Sequence, residues 1–170
     1  DIYGTHISSE HDIVSPGTGV AIVTEGGNQN AKTIEYAGNS EAFIAWADFR
    51  EGANADIYGQ RLNASMEALF QENGLPIAAT EDQELKPRAT FVENTTSFIA
   101  WKKGDEDSRV FYQFIDENGT VFSDDRTISD SQALQTAPRV KRSATGEVFV
   151  NWKDLRDDPI DGDQYFQKIN

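Results

Sequence analysis

Phe43-Ile44-Ala45-Trp46, Phe98-Ile99-Ala100-Trp101 and Val148-Phe149-Val150-Asn151-Trp152 are three versions of one strand. The tryptophans stand 55 and 51 residues apart, and the flanking segments keep that phase. A second strand follows each of them. It reads Asp56-Ile57-Tyr58-Gly59-Gln60-Arg61-Leu62-Asn63, then Arg109-Val110-Phe111-Tyr112-Gln113-Phe114-Ile115-Asp116, then Asp163-Gln164-Tyr165-Phe166-Gln167-Lys168-Ile169-Asn170. A further copy opens the chain, Asp1-Ile2-Tyr3-Gly4-Thr5-His6-Ile7-Ser8, close in sequence to residues 56–63. Copies held in one phase mark an internal repeat of about fifty residues.

The remaining segments fall into the same frame. Gly74-Leu75-Pro76-Ile77-Ala78 matches Arg126-Thr127-Ile128-Ser129 and, more loosely, Gly19-Val20-Ala21-Ile22-Val23. Lys86-Pro87-Arg88-Ala89-Thr90-Phe91-Val92 matches Ala137-Pro138-Arg139-Val140-Lys141, and Ala31-Lys32-Thr33-Ile34-Glu35-Tyr36 is the version without proline. Each unit therefore reads as four strands. Strand A is the Pro-Arg segment, B ends at the tryptophan, C carries the Tyr-x-Gln pattern, and D is the Leu-Pro-Ile type. Alternation and β-branched or aromatic enrichment favour strand over helix. Gly38-Asn39-Ser40, Glu93-Asn94-Thr95-Thr96 and Thr145-Gly146 read as A–B turns, and Asn118-Gly119 as a C–D hairpin turn. By analogy with 116–122, the stretch from Asn63 to Phe70 is expected to be a hairpin and not a helical turn.

Strand B is apolar on both faces, with Ile44 and Trp46 on one side and Phe43 and Ala45 on the other. A strand covered on both sides has that pattern, and a blade stacked between two others supplies it. The expected fold is all-β and β-propeller-like, built of tandem four-stranded antiparallel blades in a single repeat region, 1–170. Residues 1–30 hold strands C and D of a first blade, 31–79 a second blade, 80–130 a third, and 131–170 strands A to C of a fourth. That makes thirteen strands, short of the four to eight blades that usually close a ring, so an incomplete propeller is expected. Its neighbours would be further blades of a larger protein or a second chain. The opening in mid-repeat, with no initiator Met or signal peptide, is read as the mark of a processed or excised piece.

The chain carries 29 acidic against 15 basic residues, a formal charge of −14. That field repels phosphate backbones, so no nucleic-acid partner is expected. No apolar run is long enough to span a bilayer, so no membrane insertion is expected. The absence of cysteine rules out disulfides and thiolate metal sites.

Asp48, Arg50 and Asp56, with Asp154, Arg156 and Asp163 in the same phase, read as an ion-pair staple closing the B–C loop; a ligand-binding rim is the alternative. The third blade has Lys103 where Asp48 stands and no arginine two places on. Trp46, Trp101 and Trp152 are expected to pack in the core or between blades. Gln60, Gln113 and Gln167 are expected to hydrogen-bond across blades. Asp157, Asp158, Asp161 and Asp163 are candidate Ca²⁺ ligands, with Gly162 allowing a tight turn; a solvated acidic turn is the plainer reading. Gly104-Asp105-Glu106-Asp107 is a weaker copy. His6 and His11 read as structural or surface residues. No nucleophile elbow, zinc-protease motif or phosphate loop occurs. Tyr36, Tyr112 and Phe166 would have to line a groove if the protein held a glycan by stacking.

The run from Trp46 to Leu62 resembles the Trp-x-Asp-x-Arg…Asp-Ile-Tyr-x-Gln-Arg repeats of bacterial secreted and surface proteins. It is also similar to the TolB-type propeller repeats of bacterial and archaeal envelopes. The resemblance covers essentially the whole chain and implies a secreted or cell-surface propeller module. The function expected is a non-catalytic extracellular structural or interaction module. The alternative is a fragment of a propeller-fold carbohydrate-active hydrolase or lyase, or a glycan-binding module.

Overall fold

The computed structural model describes residues 1–14, 17–37, 39–92, 95–122 and 126–169, without the side chains of Ala31 and Lys32. Gly38, Glu93, Asn94 and Asn170, which enter the expected turns and the last strand, lie outside the described residues. Thirteen strands occur among the described residues, in four sheets with antiparallel neighbours. The first sheet pairs β1 (Ile2–Gly4) with β2 (Val20–Val23). The second runs β3 (Gln29–Tyr36), β4 (Ala42–Asp48), β5 (Asp56–Leu62) and β6 (Leu75–Ala78) in order. The third repeats it with β7 (Glu84–Phe91), β8 (Ser97–Lys103), β9 (Arg109–Ile115) and β10 (Arg126–Thr127). The fourth holds β11 (Gln135–Arg142), β12 (Val148–Asp154) and β13 (Asp163–Ile169). These sheets are strands C and D of a first blade, two full blades, and strands A to C of a fourth. The first A strand begins at Gln29, slightly ahead of the expected boundary at residue 31. The Asn63–Phe70 stretch is the expected hairpin loop, with Leu62 bridged to Ala68.

Strand B sorts its side chains as its pattern requires. Ile44 and Trp46 join Ile22, Val23, Tyr58 and Leu62 between the first two sheets. Phe43, Ala45 and Ala47 join Ala89, Phe91, Ile99 and Trp101 between the second and third. Phe98 and Ala100 face Val140, Val150 and Trp152 of the fourth. Each tryptophan stacks on the aromatic residue opposite it in strand C: Trp46 on Tyr58, Trp101 on Phe111, Trp152 on Tyr165, at centroid distances of 6.2, 6.3 and 6.2 Å. Gly74 closes over Trp46 with φ +96°; a Cβ there would meet the indole at 2.4 Å, so both the space and the left-handed backbone call for glycine.

The A strands β3, β7 and β11 lie side by side at the inner edge of the stack. Each carries a one-residue bulge, between Ala31 and Thr33, Leu85 and Arg88, and Thr136 and Arg139. Two of the bulges hold a non-glycine residue in the left-handed region, Lys86 at φ 58° and Ala137 at φ 53°. Each precedes a buried proline, Pro87 and Pro138.

Candidate functional site

The B–C loop is closed by a carboxylate, as expected, but with a different set of partners. Asp48 is fully buried at the end of β4. It accepts hydrogen bonds from Trp46 Nε1 (2.8 Å), Arg50 N (2.9 Å) and Arg50 Nη2 (2.6 Å), with Gln29 Nε2 at 3.4 Å. The same constellation recurs at Asp154, which accepts from Trp152 Nε1 (3.1 Å), Arg156 N (3.0 Å), Arg156 Nη2 (2.6 Å) and Gln135 Nε2 (3.0 Å). Each guanidinium also lies over the ring on which the tryptophan stacks, Arg50 4.0 Å from Tyr58 and Arg156 4.2 Å from Tyr165. Asp56 and Asp163 are not second ligands of the arginines. They stand opposite Asp48 and Asp154 in the strand pairing. Burial, then the charges of Asp48 and Glu51, push the Asp56 carboxyl up. The ligand that sequence reading missed is the strand-A glutamine, Gln29 or Gln135. The signal was present, since Gln29, Glu84 and Gln135 follow the tryptophan spacing.

Burial alone would raise the Asp154 carboxyl, but hydrogen bonds from Arg156, Trp152 and Gln135 outweigh it and hold the pKa at about 2. Asp48 is lowered by the same balance. A carboxyl depressed in the folded state stabilises the fold above its unfolded value of about 3.9, and that contribution fades as pH falls through the folded value. Urea midpoints are therefore expected to fall steeply between about pH 4 and pH 2. In Asp154→Asn the step should shrink; an unchanged acid limb would show that Asp154 is not its source.

The other sequence candidates separate. Gln60 does not bond across blades: it accepts from Phe70 N and donates to Gln71 O, tying down its own C–D loop. Gln113 is buried at the matching position and Gln167 is exposed. The four carboxylates of the 157–163 loop do not gather. Asp157 accepts the Tyr165 hydroxyl, which pushes that phenol up to about 12. Asp158 caps its own turn through Ile160 N and Asp161 N. Among the described residues no group of three or more carboxylate or histidine side chains is placed to hold a metal. Tyr36, Tyr112 and Phe166 are placed differently: Tyr36 lines a cavity with His6 and Glu41, Tyr112 stacks on Phe98, and Phe166 is exposed on β13. His6 and His11 are exposed.

What the fold does bring together is the inner edge. Thr33, Ile34 and Glu35 of β3, Lys86 and Arg88 of β7, and Arg139 and Lys141 of β11 line one open cavity of about 670 Å³. Among the described residues Glu35 is the only carboxylate in that lining. Burial raises its pKa and the facing Lys141 works against that. Sequence reading recorded the Pro-Arg strands but not their convergence, which depends on three blades packing around one axis.

No protein-family model and no curated protein matches the chain. Among solved structures, it is similar to the endo-arabinase from Bacteroides thetaiotaomicron VPI-5482, with a TM-score of 0.51 and 12% identity, covering 96% of this chain and 63% of that one. It is similar as well to a Bacteroides ovatus structure described as xyloglucan PUL GH43B, with a TM-score of 0.51 and 11% identity, covering 84% and 27%. The chain thus spans less than two thirds of each. At such identities the likeness shows the fold: an all-β array of four-stranded blades resembling part of a GH43 β-propeller.

Proposed function

We propose that the protein is a non-catalytic, glycan-binding stretch of a secreted or cell-surface β-propeller. The lining of the inner cavity carries this reading. It presents four cationic side chains and, among the described residues, Glu35 as its one carboxylate. Glycosidases of the usual kind need two carboxyl groups about 5–10 Å apart across the scissile bond. The carbohydrate class is taken from the fold neighbours, an endo-arabinase and a protein described by xyloglucan. The extracytoplasmic, TolB-like setting is taken from the repeat type around Trp46.

Further blades, in the same protein or on a second chain, are part of this proposal. Phe149 is 38% exposed although its in-phase counterparts Phe43 and Phe98 are fully buried between blades. Ile34 is 67% exposed where Ala89 and Val140 are buried. These are blade-facing positions without a blade on them among the described residues.

Prolonged incubation with arabinan or xyloglucan is expected to release no reducing sugar above the buffer blank. Calorimetric titration with oligosaccharides should nevertheless register binding. Sugar release that disappears in Glu35→Gln would turn the assignment to an enzyme. Absence of binding to every glycan tried would return it to a purely structural or interaction module.

A further inference from the structure

The protein is strongly acidic overall, yet its inner cavity is basic. Four of its 15 lysines and arginines, Lys86, Arg88, Arg139 and Lys141, face one space with Glu35 as the only lining carboxylate among the described residues. Arg50, Arg61 and Arg156 have carboxylate partners, Asp48, Glu41 and Asp154. Arg88 and Arg139 in the cavity have none among the described residues. Arg88 donates to the carbonyl of its neighbour Pro87 (2.8 Å). Lys86 reaches only a hydroxyl, Thr136 Oγ1 at 3.3 Å. Arg139 is exposed and makes no hydrogen bond or ion pair among the described residues. Guanidinium groups without carboxylates keep their fork of N–H donors available for a ligand oxyanion.

The backbone supports the same conclusion independently. Lys86 and Ala137 occupy the left-handed region, and each is followed by a proline that disfavours helical geometry before it. Such conformations cost about 1–3 kcal/mol and persist where the surroundings enforce them, often at ligand sites. A bulge redirects the side chains that follow it. Here the residue two places on is Arg88 in one blade and Arg139 in the next, so both arginines leave their strands at the same level. The cavity, at about 670 Å³, is within the size range of small-ligand sites.

We infer that the inner cavity is an anion-binding site, formed by Arg88 and Arg139 with Lys86 and Lys141, that takes the carboxylate or sulfate groups of an acidic glycan. The glycan part rests on the function proposed above; the anion part stands on the cavity itself. Lys141, next to Glu35, balances that carboxylate and leaves the two arginines to bind the ligand.

The test is calorimetric titration of the 170-residue protein with trigalacturonate, a sulfated disaccharide, neutral arabinotriose, and citrate. The two acidic sugars separate carboxylate from sulfate as the bound group, and either one binding supports the inference. Affinity should fall about tenfold in Arg139→Gln, and by more in Arg88→Gln with Arg139→Gln. It should also weaken as salt rises from about 50 to 500 mM. Arg139 is exposed, so its variant will fold, and far-ultraviolet dichroism checks the double variant. Citrate binding without any sugar binding keeps the anion site and removes the glycan reading. Arabinotriose binding that is untouched by the arginine substitutions, with no acidic ligand bound, keeps the glycan reading and overturns the anion site. Failure of all four probes overturns the inference.

Discussion

Asp48→Ala is expected to lower the free energy of unfolding by about 3–5 kcal/mol, the range for removing one partner of a buried ion pair. The carboxylate is fully buried and gathers four donors from β3, β4 and the B–C loop. Its removal leaves the Arg50 guanidinium, only 14% exposed, without its counter-charge, and the Trp46 indole N–H without an acceptor. It also loosens a tie to the C–D loop, because the Arg50 that Asp48 positions donates to Asn73 O at 2.8 Å. Globular domains are stable by about 5–15 kcal/mol, so a loss of this size removes a large fraction of the total. Urea denaturation measures it. A loss below about 1 kcal/mol would put the staple in the class of surface ion pairs and contradict its role as a scaffold device.

The third blade offers the second large effect, because there the charges have changed strands. Where Gln29 faces Asp48 and Gln135 faces Asp154, Glu84 faces Lys103, with Lys103 Nζ 3.6 Å from Glu84 Oε1. Trp101 Nε1 is buried without an acceptor as a result. Lys103→Asp alone would set a second carboxylate against the fully buried Glu84, and Glu84→Gln alone would strip the lysine of its main counter-charge. Each single change should be destabilising. Together they restore the glutamine–aspartate pairing of the other blades and give Trp101 an acceptor. A double-mutant cycle is therefore expected to show favourable coupling of about 2–3 kcal/mol. Additivity within about 0.5 kcal/mol would mean that the two sites do not share one network.

The blade frame was legible because its signals are local and periodic. The tryptophan spacing sets the phase, and the two apolar faces of Phe43-Ile44-Ala45-Trp46 announce a strand covered on both sides. The Asp48–Arg50 pair was legible for the same reason, being two residues apart in one loop. Asp56 was misassigned as a second ligand because sequence proximity to the loop does not fix which carboxylate points at the guanidinium. Gln60 was misassigned because its partners, Phe70 N and Gln71 O, are backbone groups that leave no trace in side-chain pattern. The basic cavity was the least legible feature. Lys86, Arg88, Arg139 and Lys141 are ordinary exposed-strand residues in one dimension and converge only when neighbouring blades bring their inner strands together.

Because each blade packs chiefly on the next one in sequence, the array behaves as a one-dimensional stack. Its stability is then a sum of blade terms and junction terms, and opening starts at the least buried strands. The sheet of β11 to β13 has three strands, and β13 is mostly exposed. Amide protons of β13 should exchange ahead of those of β4 and β5, whose side chains are almost wholly buried. A partner that added a strand to that edge would slow the exchange there first, and the protection would then spread inward junction by junction.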